Sequence, residues 1–245
     1  MFPALNLGPF VLPTTALTLI IGAFIVLTLA ERAAAYLGLD VQAFSGLVTT
    51  GLLAGVVGAR FTFVFLHWPA YQANLLGIFW PLNSGFSLIG GLIFGCAAMF
   101  FYGRFKQLPP GQTLDALAPV LVTGLMFVSL ADFLGGPGYG TFTTLPWGIT
   151  QFEIRRHPVQ LYEIAGGAVA LLTWWSLRTR REFAGQLFFV TMAVYCFGRL
   201  FIDTFRANAW LNQGWHVLQI ICLVITILCL ILLSRMPFSN EKLLQ

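Results

Sequence analysis

Long apolar stretches, each bounded by charged residues, proline or glycine, recur along the whole chain. A helix of about 20 mainly apolar residues spans a bilayer, and such a helix satisfies its own backbone hydrogen bonds in lipid. The chain lacks the alternating segments of about ten residues that mark membrane β-strands. We therefore predict an all-α, polytopic membrane protein with seven transmembrane helices, near residues 12–35, 44–67, 86–102, 117–134, 159–177, 185–202 and 217–234.

The composition supports this interpretation and excludes a soluble domain. Hydrophobic residues make up 58% of the 245 residues and charged residues only 9%, whereas soluble domains carry about 25% charged residues. We expect one membrane domain over residues 1–245. The net charge of +4 is explained by membrane topology, so no nucleic-acid partner is expected.

The distribution of basic residues predicts the orientation of the helices. Lys and Arg accumulate in the cytoplasmic segments of membrane proteins. The ends of the first, third, fifth and seventh stretches, with the segments after them, hold eight basic residues, against three on the other side. We therefore expect the N-terminus outside and the C-terminus in the cytoplasm. The eight are Arg32, Arg104, Lys106, Arg178, Arg180, Arg181, Arg235 and Lys242, and the three are Arg155, Arg156 and Arg206. The outer side also holds an aromatic belt of Trp68, Trp80, Trp147, Trp210 and Trp215.

Ionisable residues inside the apolar stretches identify candidate functional positions. Each costs about 2.5–3.5 kcal/mol on insertion scales, so each needs a partner or a function. The candidates are Arg60, Asp132, Glu163, Arg199 and Asp203.

The densest cluster is Tyr195, Arg199, Asp203 and Arg206, spaced four, four and three residues apart. On a continuous helix this spacing places them along one face. The face would carry more cation than Asp203 can neutralise, and guanidinium groups bind phosphate oxygens in a bidentate fashion. We predict a phosphate site there. The alternative is an Arg–Asp pair that only locks helices together.

Two further positions remain open between structural and functional roles. Arg60 follows small residues suited to close helix packing, and it is either a second phosphate ligand or the counter-ion of Asp132 or Glu163. His157 precedes Pro158, a residue accepted at the first position of a helix, and it is either a structural residue or an acid–base group. The spacing of His157 and Glu163 gives no support for metal binding.

Three motifs in this order make the chain resemble the prolipoprotein diacylglyceryl transferases. They are GVVGARFTFVFLHWPAY at 55–71, RHPVQLYE at 156–163 and YCFGRLFIDTFR at 195–206. The LGPFVL opening and the pair Gly90–Gly91 also fit, so the similarity covers nearly the whole chain. The resemblance implies a multi-pass enzyme of the bacterial inner membrane.

The resemblance also implies an activity and its residues. The enzyme would move the diacylglyceryl group of phosphatidylglycerol, a membrane lipid, to the lipobox cysteine of a preprolipoprotein, without metal or organic cofactor. Arg199 and Tyr195 match catalytic residues of the family, and Arg206 a further functional arginine. We expect these three on the phosphate. The substrate-binding residues would be Arg206, Arg60, Asp203, His157, Gln160, Tyr162 and Glu163, with the segment from His157 to Glu163 shaping the mouth of an outward-facing cavity.

The chain departs from the family at several motif positions. Where the family has Gly-Arg-x-Gly-Asn-Phe-x-Asn-Gly-Glu, this chain places Ser129 for the arginine, Asp132 for the first asparagine and Pro137 for the glutamate. Ile89 replaces a histidine and Thr15 a tyrosine. Two interpretations follow: a divergent transferase with a replacement cation, or a non-catalytic subunit that binds lipid or lipoprotein. A small transporter is disfavoured because the charges cluster near one side.

Overall fold

Helices dominate the part of the chain that the computed structural model describes, which comprises residues 4–7, 10–72, 75–78, 85–136, 138–151 and 153–236. Trp80, Pro137 and Lys242, named above, lie outside these residues. The helices are α1 (Thr14–Tyr36), α2 (Val41–Leu66), α3 (Trp68–Tyr71), α4 (Leu88–Phe105), α5 (Pro110–Gly135), α6 (Val159–Leu177), α7 (Gln186–Ile202) and α8 (Val217–Arg235).

Three short antiparallel hairpins were not predicted from the sequence. They are β1 (Ala4–Leu7) with β2 (Phe10–Pro13), β3 (Ile149–Gln151) with β4 (Ile154–Arg156), and β5 (Leu211–Asn212) with β6 (Trp215–His216). Strands of two to four residues give too few alternations for a pattern to register.

Each of the seven predicted apolar stretches contains one long helix. Among the described residues, six helices are long and apolar enough to cross a membrane, namely α1, α2, α4, α5, α7 with the residues to Phe205, and α8. The all-α, polytopic membrane class is thereby confirmed. Helix α6 does not belong to this group of six, and its first turns carry Gln160, Tyr162 and Glu163.

Backbone contacts divide the chain into two compact units. The first unit comprises Met1–Leu29 and Leu114–Gln245, and the second comprises Ala30–Thr113. In the first unit α7 packs against both α6 and α8, and in the second α2 packs along α4. A single domain over residues 1–245 stays a prediction.

Glycines allow α2 and α4 of the second unit to approach backbone to backbone. A Cβ on Gly95 would lie 3.1 Å from the carbonyl oxygen of Gly51 and 3.5 Å from Cα of Gly55. A Cβ on Gly91 would lie 3.2 Å from the carbonyl oxygen of Gly55 and 3.2 Å from Cβ of Ala59. Small residues at such crossings favour helix association in lipid because they permit close packing.

Arg60 of α2 organises the segment between α2 and α4. Its Nε donates to the carbonyl of Ile78 at 2.9 Å and Nη2 to that of Gly77 at 2.6 Å. Its Nη1 donates to the carbonyl of Gly85 at 3.1 Å and to the hydroxyl of Tyr71 at 3.3 Å. One side chain of α2 thus holds the carbonyls of Gly77, Ile78 and Gly85, which come later in the chain.

Pro119 lies within α5 and has no N–H to donate to the carbonyl of Asp115, four residues earlier. The indole Nε1 of Trp174, from α6, donates to this carbonyl at 3.0 Å instead. The carbonyl that Pro119 leaves without a partner inside α5 therefore forms a hydrogen bond that joins α5 to α6.

The side chain of Asp115 caps the N-terminus of α7. Its carboxylate is fully buried and accepts hydrogen bonds from the backbone N–H of Gly185 at 2.8 Å and of Phe188 at 3.0 Å. Arg181 Nη1 lies 3.4 Å from the same carboxylate. A carboxylate at this position satisfies free N–H groups and complements the helix dipole, so α7 is held at this end by a residue from α5.

The glycine packing of α2 and α4 predicts a selective loss of stability. We expect Gly95→Val to lower the free energy of unfolding by about 1–3 kcal/mol, because the new side chain meets the backbone of α2 and cannot move it aside. The midpoint of thermal unfolding in detergent micelles measures the effect. Gly198→Ala on α7 is the control, since its Cβ would have no neighbour within 4 Å. Equal midpoints for the two variants would contradict the proposed backbone contact.

Candidate functional site

The first unit builds a polar cluster around the carboxylate of Glu163. This side chain projects from the first turns of α6 and is 4% exposed. Arg199 Nη1, from the last turn of α7, forms an ion pair with Glu163 Oε1. Arg206 Nη2 lies 3.2 Å from the same oxygen. Ser129 of α5 donates its hydroxyl hydrogen to Glu163 Oε2 at 2.5 Å. Three helices and the segment after α7 therefore converge on one buried carboxylate.

Asp132 adds a second carboxylate at the more open side of this cluster. Its Oδ2 lies 3.7 Å from Arg206 Nη2, and the side chains of Asp132 and Arg206 are 30% and 18% exposed. Two arginines thus face two carboxylates. Asp203 does not neutralise either arginine, and the opposite charge comes from α5 and α6, whose carboxylates sequence spacing could not place beside α7.

Arg206 does not continue the helical face predicted for it. Helix α7 ends at Ile202, residues Asp203–Phe205 form a 3-10 turn, and Arg206 is extended with φ −85° and ψ 119°. Its backbone forms a bridge with Gly140. The extended backbone is what allows Arg206 to lie beside Asp132 and Glu163 as well as beside the segment that follows α5.

Backbone groups of Gly138 and Gly140, in the segment after α5, accept hydrogen bonds from side chains at the start of α6 and before it. Gln160, which is fully buried, donates from Nε2 to the carbonyl of Gly138. A Cβ on Gly138 would lie 3.4 Å from Arg206 Nη2 and 3.1 Å from Gln160 Nε2, so the absence of a side chain permits this approach. Arg156 Nη1 donates to the carbonyl of Gly140 at 3.1 Å, and its guanidinium lies over the ring of Tyr139.

An aromatic group lies at the start of α6. The hydroxyl of Tyr162 accepts a hydrogen bond from Trp147 Nε1 at 2.8 Å and lies 3.2 Å from His157 Nδ1. The imidazole of His157 contacts the ring of Phe205, with centroids 4.8 Å apart. Pro158 is the N-cap of α6 and directly precedes its first residue, Val159. These contacts join the β3–β4 region to the end of α7.

Asp203 is paired differently from the prediction. Its side chain is 1% exposed and its Oδ2 lies 3.1 Å from Nδ1 of His216, at the start of α8. The structure therefore does not contain the alternative Arg–Asp pair. It contains two separate pairs, Arg199 with Glu163 and His216 with Asp203. His216 was not predicted as a site residue. The feature of the sequence that could have identified it is its position directly before the last apolar stretch.

The predicted site residues fall into two groups. Arg199, Arg206, Glu163 and Gln160 meet in the cluster around Glu163, and Tyr195 lies one turn before Arg199 on α7, partly buried. Arg60 belongs to the second unit, where its described contacts hold the segment before α4, and its role as phosphate ligand stays a prediction. Sequence reasoning also gave Asp132 and Ser129 no place beside Arg206 and Glu163.

The arrangement is suited to binding an oxyanion. Two guanidinium groups already share one carboxylate oxygen, and guanidinium donors match carboxylate and phosphate geometry equally. Among the described residues, Nε of Arg206 is buried and has no hydrogen-bond partner. The arginine therefore keeps a donor for a further acceptor.

Comparison with known proteins agrees with the motifs. The model of the family "Prolipoprotein diacylglyceryl transferase" matches residues 3–235. The phosphatidylglycerol–prolipoprotein diacylglyceryl transferase of Nitratidesulfovibrio vulgaris is 33% identical over 201 residues, covering 76% of this chain and 75% of the relative. The enzyme of the same name from Enterococcus faecalis is 28% identical over 249 residues, covering 93% and 90%. That from Finegoldia magna is 30% identical over 178 residues, covering 72% of each. The resemblance seen in the sequence is confirmed, and the chain belongs to the prolipoprotein diacylglyceryl transferase family.

Proposed function

We propose that the protein transfers the diacylglyceryl group of phosphatidylglycerol to the lipobox cysteine of preprolipoproteins, in the bacterial inner membrane. The observation that carries this proposal is the convergence of Arg199 and Arg206 on one oxygen, Glu163 Oε1. Two guanidinium groups fixed at the end of α7 are the donors that a phosphate headgroup requires. The names of the relatives support the same substrates.

The phosphate would bind on the side of Arg206 that faces Asp132. The contact between Arg206 Nη2 and Asp132 Oδ2 is long, at 3.7 Å, and a long, partly exposed ion pair contributes little. A phosphate oxygen bonded to Nε and Nη2 of Arg206 can replace it at small cost. Arg199 is more deeply held by Glu163, and it would stabilise the charge that develops on the leaving group.

The reaction replaces a C–O bond of the lipid by a C–S bond, and the S–H bond of the cysteine also breaks. The cysteine sulfur forms a C–S bond with the terminal glycerol carbon of the diacylglyceryl group, and the C–O bond from that carbon to the phosphate breaks. The bonding electrons leave on glycerol phosphate, and the thiol proton is lost. Tyr195 would donate a hydrogen bond to the phosphate, while the segment that begins at His157 would shape the entrance for lipid and peptide.

The proposed topology has seven crossings, with the N-terminus outside and the C-terminus in the cytoplasm. Helix α6, with 19 residues, is long enough to cross a bilayer core if its polar groups are paired. Its Glu163 meets two arginines and Ser129, and its Gln160 donates to the carbonyl of Gly138. This pairing supports α6 as the seventh crossing.

A second candidate function is a non-catalytic subunit that binds lipid or lipoprotein. The observation that favours it is Ser129, which stands where the family has an arginine and donates to Glu163 in its place. A missing cation of this kind costs about 10²–10³ in rate, by analogy with a removed oxyanion donor. Binding of the phosphate would survive this loss, because Arg199 and Arg206 remain.

Transfer by the purified protein tests the proposed function. In micelles that contain phosphatidylglycerol, we expect a lipobox peptide with a free cysteine to gain a thioether-linked diacylglyceryl group, detected by mass spectrometry. We expect Arg199→Ala to lower the rate at least about 10²-fold, because a charged donor to the leaving group is lost. Arg180→Ala, in the exposed segment before α7, is the matched control and should retain the wild-type rate.

Two outcomes would contradict the transferase proposal. Absence of product with the wild-type protein, together with phosphatidylglycerol binding that Arg199→Ala abolishes, would establish the non-catalytic subunit. Product formation that survives Arg199→Ala at the wild-type rate would exclude the site around Glu163 as the site of transfer.

Cysteine labelling, compared between intact and permeabilised cells, tests the topology. In a variant without native cysteines, Phe142→Cys should react with a membrane-impermeant maleimide in intact cells, because residues 138–156 would lie outside. Arg180→Cys should react only after the membrane is permeabilised, since it lies between α6 and α7. The reverse pattern would overturn the orientation, and labelling of both positions in intact cells would show that α6 does not cross.

A further inference from the structure

We propose that His216 is the general base that removes the proton from the lipobox thiol, with Asp203 as the residue that orients it. The inference rests on the proposed function and adds to it a group that takes the proton. The thiol must lose its proton for sulfur to act as a nucleophile, and the cluster around Glu163 supplies no free base because its carboxylates are paired with arginines.

The pairing of His216 with Asp203 has the geometry of an oriented base. Nδ1 of His216 lies 3.1 Å from Oδ2 of Asp203, and the carboxylate is 1% exposed. A carboxylate accepts, so Nδ1 carries the proton in this contact. In the neutral imidazole the lone pair then lies on Nε2. The histidine side chain is 32% exposed, so the ring is partly accessible while Nδ1 is held by a buried anion.

A buried carboxylate also stabilises the product of proton transfer. When Nε2 takes a proton, the imidazolium lies beside the negative charge of Asp203, as in the acid–base pairs of hydrolases. Oδ1 of Asp203 is buried and has no hydrogen-bond partner among the described residues. The carboxylate is therefore only partly satisfied and retains its capacity to stabilise a neighbouring cation.

His216 lies at the same end of α7 as the phosphate-binding arginines. Asp203 directly follows α7, between Arg199 and Arg206 in sequence. In α8, Gln219 Nε2 donates to the carbonyl of Leu200 at 3.1 Å and to Thr204 Oγ1 at 2.9 Å. The start of α8 is therefore fixed against the segment that carries both arginines.

Contacts other than those of His216 already hold the start of α8 in place. The imidazole makes no capping hydrogen bond to α8. Gln219 holds the start of α8 to the end of α7, and the backbone N–H of Val217 donates to the carbonyl of Trp210 at 3.0 Å. The Asp203–His216 pair is thus not needed to join these elements.

The S–H proton passes to Nε2 of His216, and the sulfur electron pair forms the C–S bond. The C–O bond of phosphatidylglycerol breaks with its electrons on glycerol phosphate, whose charge Arg199 and Arg206 stabilise. The imidazolium then releases its proton to water, which returns His216 to the neutral form.

The experiment compares two nucleophiles in the reconstituted transfer assay. One lipobox peptide carries cysteine, and the other carries selenocysteine, whose selenol is ionised near neutral pH and needs no base. With the cysteine peptide we expect His216→Gln to lower kcat/KM by about 10²-fold, the lower range for general-base catalysis. With the selenocysteine peptide we expect a loss of less than about tenfold, because the step served by the base is bypassed.

Controls separate this inference from folding and from the proposed function. His67→Gln, on an exposed histidine after α2, should leave both rates unchanged. Asp203→Asn should show the same selective loss as His216→Gln, and it carries the test if His216→Gln fails to fold. Equal losses on both peptides, or no loss, would overturn the role of His216 while transfer by the wild type upholds the proposed function. A wild-type protein inactive on both peptides would overturn the proposed function and this inference with it.

Discussion

The buried carboxylate of Glu163 is the constraint around which the first unit is arranged. An ionised carboxylate removed from water costs several kcal/mol unless opposite charge and hydrogen bonds replace its hydration. Here the replacement comes from Arg199 at the end of α7, from Arg206 beyond it and from Ser129 on α5. None of these groups can move far without leaving a buried charge unpaired. The requirement to pair one charge therefore fixes the relative positions of α5, α6 and the end of α7.

The same constraint explains how this chain accommodates its departure from the family signature. An arginine at position 129 would add a third guanidinium beside Glu163, whereas the serine hydroxyl satisfies Oε2 without adding charge. Asp132, which replaces an asparagine, meets Arg206 on the open side. As the resemblance aligns the two, Ser129 brings a hydroxyl where the family has a cation, and Asp132 brings a carboxylate where the family has an amide. Arg199 and Arg206 are present in this chain.

The sequence predicted the helices well because apolar length is a local signal that each stretch carries by itself. It predicted the residues of the site but not their partners. Spacing along one helix offered an Arg–Asp pair as the alternative to a phosphate site, whereas the structure pairs Arg199 with Glu163 from α6. Asp203 instead meets His216, the last residue of β6. Partners on different helices depend on how the helices pack and rotate, and no spacing within one segment reports that.

Helix α7 is anchored at both ends, by Asp115 at Gly185 and Phe188 and by Glu163 at Arg199. The span between the anchors is therefore fixed in length and in rotation. One residue inserted into or deleted from this span would turn Arg199 by about 100° and shift it by about 1.5 Å along the axis, away from Glu163. Side chains along α7 can therefore be exchanged one by one, but the number of residues between the two anchors cannot change without moving Arg199.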